Sequence, residues 1–121
     1  MSHLRAFKLI ERDLRPGFRE IQVEGELDLA VAEQLEEALE RTSAEGKVLV
    51  GLEKCDFIDS TGIAIIVHAH NRLAEQGGRV VVCAPSAQVL RILSITGLTA
   101  NGLVFENAEE ALAQISSSEE A

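Results

Sequence analysis

Tryptophan and tyrosine are missing from these 121 residues, and Phe7, Phe18, Phe57 and Phe105 bring the aromatic share to only 3%. A platform for stacking bases or sugar rings has little material here, because each stacked ring needs an aromatic face of its own. Positive charge is also scarce: 11 Lys and Arg stand against 20 Asp and Glu, a formal net charge of -9. Arg12, Arg15 and Arg19 are interleaved with Glu11, Asp13 and Glu20, so no basic patch offsets the repulsion of phosphate backbones. Nucleic acid is not an expected partner. Cysteine is limited to Cys55 and Cys83, without CxxC spacing or a nearby histidine, which points to free thiols in a reducing cytoplasm. Long apolar runs are absent too. The N-terminus lacks the apolar core of a signal peptide, and no stretch approaches the roughly 20 apolar residues of a spanning helix. The expectation is a cytoplasmic protein with no membrane insertion.

What is present is aliphatic. Hydrophobic residues make up 46% of the chain, and with so few aromatics the core must be Leu, Ile, Val and Ala, which suits helices laid on a sheet. The length fits one domain spanning residues 1–121. Phe7 and Leu9 begin a strand, Pro16-Gly17 supplies a turn, and a second strand alternates, with Ile21, Val23 and Leu27 opposite Gln22, Glu24 and Glu26. Val31, Leu35, Ala38 and Leu39 then form one helical stripe, with Asp28 placed to cap it and Gly46 following. The continuous apolar run Val48 to Leu52 predicts a strand buried on both faces. The spacing predicts a second helix over 60–76, with Ile63, Ile66, Val67, Leu73 and Ala74 on one side and Gly77-Gly78 at its end.

A third strand at Val80 to Val82 follows, then a short helix from Ser86 through Val89, Leu90 and Leu93, closed by Gly97. Leu103 to Phe105 reads as a last strand. Asn107 with Glu110 marks the start of a final helix through Ala111, Leu112 and Ile115, before a polar, frayed tail at 116–121. The order β-β-α-β-α-β-α-β-α predicts an α/β fold: a mixed sheet, opened by an antiparallel hairpin and continued by parallel βα units, with helices mainly on one face.

The segment Cys55 to Ile63 joins the central strand to the second helix, and in parallel α/β units sites collect at such turns. Ser60 falls at or near the helix N-cap, where backbone amides converge. Gly62, lacking a Cβ, would let another molecule approach the first turn. A phosphate on Ser60 would meet the positive end of the helix dipole and add about -1.5 to -2 charge beside Asp59. A plain helix cap would use the same residue types.

These residues resemble the STAS domain family, whose small stand-alone members are anti-sigma factor antagonists. The likeness rests on Val48 to Gly62, ending Asp59-Ser60-Thr61-Gly62, on Gly25-Glu26-Leu27-Asp28, on Gly78 to Val82, and on Leu93-Ser94-Ile95-Thr96-Gly97-Leu98. The resemblance implies that Ser60 is phosphorylated by an anti-sigma factor that is itself a serine kinase, with Thr61 as the lesser candidate acceptor. It implies that Asp28 and Asp59 flank the docking site, that a phosphatase resets the switch, and that the unphosphorylated form binds the anti-sigma factor and frees a sigma factor. No cofactor is implied, since ATP and Mg2+ would belong to the kinase. Gly51 stands where the family usually has an aspartate, and Lys54 lies in the loop that follows; both make the acidic surround of Ser60 less typical.

At helical spacing Thr61, Ile65, His68 and Arg72 share a face opposite the core stripe, which suits partner contact beyond the switch. His68 and His70 are two apart and diverge around the helix, so they cannot hold one metal, and His70 reads as a packed residue. Glu36-Glu37 and Glu109-Glu110 read as solvated helix charge. Ser60 has no evident base or oxyanion motif, and there is no GxxxxGK[ST] loop, so catalysis is not expected. A second reading keeps the same helix face but docks it on a membrane transporter, as an accessory subunit.

Overall fold

The computed structural model describes residues 6–15, 18–41, 46–83, 86–95, 104–105, 107, 109–111 and 113. Within them lie β1 (Lys8–Arg15), β2 (Phe18–Leu27), α1 (Leu29–Glu40), β3 (Lys47–Ile58), α2 (Ser60–Ala74), β4 (Arg79–Cys83), α3 (Ala87–Ile95) and β5 (Val104–Phe105). The strands form one sheet in the order β1-β2-β3-β4-β5. β1 and β2 pair antiparallel, and every later pairing is parallel. Right-handed crossovers that always advance in one direction across a sheet put their helices on the same face. α1, α2 and α3 therefore share a side, as the element order predicts.

That side holds the main core. Ile21, Val23 and Leu27 of β2, and Val48, Val50 and Leu52 of β3, meet Leu35 and Leu39 of α1, Ile66 and Leu73 of α2, and Leu93 of α3. The alternate residues of the same strands face the other way. There Phe18, Leu49, Val81 and Cys83 are covered by Ala111, so the start of the last helical segment lies across the second face. Asn107 Oδ1 accepts the Glu110 N–H at 2.9 Å, as its spacing predicts. The Pro16-Gly17 turn, Thr96 to Leu98, Leu103, Leu112, Ile115 and the 116–121 tail lie outside the described residues.

Two corrections concern α2. The helix ends at Ala74, not Gln76, and Ala74 is exposed rather than part of the stripe. Gly77, at φ 90°, closes it: Gly78 N–H reaches the Leu73 carbonyl at 2.8 Å and Gly77 N–H the Ala74 carbonyl at 3.2 Å. A left-handed residue of this kind turns the chain straight into β4.

The last carbonyls of α1 are satisfied from other elements, since its own last turn carries no basic residue. Arg19 of β2 donates to the Ala38 carbonyl and Arg72 of α2 to the Leu39 carbonyl, both at 3.0 Å. Glu11 on β1 accepts from both Arg19 and Arg41, tying the hairpin to the end of α1. The Arg41 guanidinium, more than any other neighbour, holds the Glu11 carboxyl below its usual value.

Candidate functional site

β2 and β3 end side by side, with Leu27 in register with Ile58, so α1 and α2 begin next to each other. Each start is capped by an aspartate. Asp28 accepts the Ala30 N–H at 3.0 Å. Asp59 does more: Oδ1 accepts Thr61 N–H at 3.0 Å and Gly62 N–H at 3.1 Å, while Oδ2 accepts Leu29 N–H, the first amide of α1, at 3.2 Å. The Asp59 N–H in turn bonds the Leu27 carbonyl at 3.2 Å. One carboxylate thus pins both helix starts together.

Ser60 stands next to the N-cap, as expected: Asp59 is the cap and Ser60 the first helical residue, exposed to solvent. Two details of the turn differ from the sequence reading. The amides that converge at this turn, those of Thr61 and Gly62, bond the Asp59 carboxylate and not the serine hydroxyl. Gly62 is buried, and a Cβ there would come within 2.9 Å of Leu27 Cγ and 3.0 Å of Ile58 Cγ1. Its missing side chain therefore lets α2 settle on the strand ends and does not open the turn to another molecule.

The last residues of β2 carry an irregularity. Gly25 adopts φ 85°, and the β2–β3 register shifts between Gly25 and Glu26. A bulge with glycine in the left-handed region twists the strand, which accounts for the glycine ahead of Glu26-Leu27-Asp28.

Gly51 and Lys54 do not shape the surroundings of Ser60 as expected. Gly51 sits mid-strand, in register with Gln22 and Cys83. Ile58 lies seven positions further along the strand, on the order of 20 Å away. A Cβ at Gly51 would fall within 2.6 Å of Gln22 Cδ, so the glutamine side chain occupies the space where a larger residue would lie. Lys54 lies within β3 and not in a loop after it, exposed and in register with Glu24.

The four residues placed on one face of α2 are not opposite the core. Thr61, Ile65 and Arg72 are half-buried, His68 is exposed, and Ile65 packs against the core cluster. Ile65, His68 and Arg72, but not Thr61, line a groove with Glu36, Leu39 and Glu40 of α1. His70 is half-buried and its Nδ1 accepts the Val80 N–H at 3.1 Å, as suits a packed residue. That bond requires an unprotonated Nδ1, and burial together with the Arg79 charge moves the His70 pKa down. The Cys55 thiol donates to the Phe57 carbonyl at 3.2 Å, and burial pushes its pKa up.

One residue beside the site was not singled out from the sequence. Leu29, whose amide is held by Asp59, is 73% exposed. Its signal was available: six residues before Leu35, it lies about 120° round the helix from the apolar stripe. Among the described residues no three His, Cys, Asp or Glu side chains are grouped to hold a metal ion. No helix among them is long and apolar enough to cross a membrane.

Comparison with known proteins agrees with this architecture. A relative from Paenibacillus polymyxa named anti-sigma F factor antagonist is 27% identical over 110 residues, covering 88% of this chain and 93% of the relative. One from Staphylococcus aureus named anti-sigma-B factor antagonist is 32% identical over 91 residues, covering 74% and 84%. Among solved structures, an anti-sigma factor antagonist from Mycobacterium paratuberculosis superposes with a TM-score of 0.80 at 23% identity, covering 91% of this chain and 94% of that one. A sulfate transporter family protein from Wolinella succinogenes shares the fold as well, with a TM-score of 0.74 at 18% identity and 91% and 93% coverage. Residues 10–111 match the STAS domain, and the chain belongs to the STAS domain family.

Proposed function

We propose that this protein is an anti-sigma factor antagonist, a non-enzymatic switch that docks an anti-sigma factor serine kinase while Ser60 is unmodified and lets go when Ser60 is phosphorylated. The observation that carries this reading is the exposed Ser60 at the first position of α2, next to the Asp59 that pins the two helix starts together. The partner-contact residues are Asp28, Ser60, Thr61 and the α2 face of Ile65, His68 and Arg72, with Asp59 and Gly62 holding the turn in shape.

The physics of release is local. A phosphate on Ser60 brings about -1.5 to -2 charge to a turn that already carries Asp28 and Asp59. The helix dipole offsets part of that within the protein, typically by 0.3–1 kcal/mol at an exposed position. A partner surface fitted to a neutral hydroxyl would have to desolvate the new charge without a counter-charge. The exposed Leu29 beside the serine adds an apolar contact that such a partner would bury. ATP and Mg2+ enter with the kinase, a phosphatase resets the serine, and the interaction belongs to the cytoplasm.

The names of the two relatives support this reading. The likeness to a sulfate transporter family protein favours a second one, in which the same surface docks on a transporter and Ser60 stays unmodified. The discriminating experiment is intact-mass and site-mapping spectrometry of the protein incubated with ATP, Mg2+ and each candidate anti-sigma kinase from its own organism. One added phosphate on Ser60, absent in Ser60→Ala, and loss of kinase binding in Ser60→Asp are expected. A Ser60→Asp variant that binds as tightly as wild type would refute the switch.

A further inference from the structure

α1 and α2 run parallel, since each follows one of two neighbouring parallel strands, and the Asp59–Leu29 bond sets their first turns level. Between them lies a groove of about 250 Å3. Its floor is aliphatic, made by Leu39, Ile65 and Ala69, and Arg72 closes it at the level where its guanidinium donates to the Leu39 carbonyl. The α1 wall is acidic: Glu36 and Glu40 are both exposed along it. The lining thus carries two carboxylates on the α1 rim and one guanidinium, that of Arg72, turned to the Leu39 carbonyl at the end of the groove. An apolar trough with a net acidic rim matches a side chain with a long hydrocarbon stem and a cationic head.

We infer that this groove receives an arginine or lysine side chain from the protein partner that docks at Ser60. The stem lies over Leu39, Ile65 and Ala69, and the charge meets Glu36 and Glu40. Distance permits one partner to reach both places. His68 lies eight residues along α2 from Ser60, about 12 Å at helical rise, well inside an ordinary interface patch of roughly 800 Å2 per partner. The chain's own charge of -9 favours a cationic partner surface in the same sense.

The inference rests on the docking reading, and two measurements separate their fates. The first is an amide NMR titration with N-acetyl-arginine methylamide at millimolar concentration, with N-acetyl-norleucine methylamide as the uncharged control. Shifts centred on Leu39, Ile65, His68 and Ala69 are expected from the arginine compound only. They should vanish in Glu36→Gln/Glu40→Gln and persist in Glu33→Gln/Glu37→Gln, which removes the same charge from the same helix outside the groove. The second is the affinity of the kinase that phosphorylates Ser60: about tenfold weaker for the Glu36/Glu40 pair, and changed by less than about twofold for the Glu33/Glu37 pair. Equal losses in both pairs would reduce the effect to net charge and overturn the inference while the docking reading stands. If no kinase modifies Ser60, the docking reading falls by itself and the titration decides: groove shifts from the arginine compound support a cation site, and their absence overturns it.

Discussion

Removing the Asp59 carboxylate should cost more stability than removing any other helix cap described in this protein. Asp59→Ala strips the acceptor from Thr61 and Gly62 at 3.0 and 3.1 Å, and from Leu29 at 3.2 Å on the neighbouring helix. A lost N-cap alone costs about 1 kcal/mol. The bond across to α1 adds roughly another 1 kcal/mol, below the usual range for a charged acceptor because water can reach the exposed Leu29 amide. The sum is about 2 kcal/mol, and for a chain of this length each kcal/mol lowers Tm by roughly 4 °C, giving a fall of about 8 °C. Asp59→Asn keeps one acceptor oxygen for α2 but turns an NH2 toward Leu29, so about half the loss is expected. Asp28→Ala removes a single side-chain bond, to Ala30, and should cost about 1 kcal/mol. Thermal melts by circular dichroism, checked by urea titration, give the order Asp59→Ala, then Asp59→Asn and Asp28→Ala. An Asp59→Ala protein melting within about 2 °C of wild type would refute the pinning role and return Asp59 to being a surface charge.

Gly62→Ala should destabilise by about 1–3 kcal/mol, because the new methyl meets the buried Leu27 and Ile58 side chains at 2.9–3.0 Å; an unchanged urea midpoint would show that the strand ends yield freely. His70 has a folded pKa below its ordinary value, so on acidification below about pH 6.5 the unfolded chain takes up the proton first. Stability should therefore fall as pH drops through that window and level off below the folded pKa. His70→Gln should flatten the profile between about pH 5 and 7.5, and a slope surviving in that variant would assign the effect elsewhere. The Cys83 thiol is fully buried and its pKa is pushed up to about 12, chiefly by burial with Glu53 nearby. Iodoacetamide should leave it unmodified in the native protein at neutral pH and alkylate it in urea, and rapid native labelling mapped to Cys83 would contradict the packing.

Much of the fold was legible because its signals are short-range. Alternation at Ile21, Val23 and Leu27, the stripe of Leu35, Ala38 and Leu39, and the run from Val48 to Leu52 each depend on residues within a turn or two of one another. Their burial follows the pattern. Asp28, Asn107 and Gly77 are local in the same way, since a cap or a left-handed turn acts on amides and carbonyls a few residues distant. The reading of α2 past Ala74 failed because the helix tightens ahead of Gly77: the Gln76 and Gly77 amides bond the carbonyls three residues back, at Leu73 and Ala74.

The candidate site divides along the same line. The sequence alone determines that Asp59-Ser60-Thr61-Gly62 joins a strand to a helix, that Ser60 stands at its start, and that the chain is acidic and aliphatic. Only the tertiary structure decides that Asp59 serves two helices, that Gly62 faces Leu27 and Ile58, that Gly51 is far from Ser60, and that Ile65 and His68 line a groove with Glu36. Each of these depends on which residues of β2 and β3 come into register. That register is set by two irregularities, one at the left-handed Gly25, and by the packing of whole elements, neither of which leaves a period in the chain.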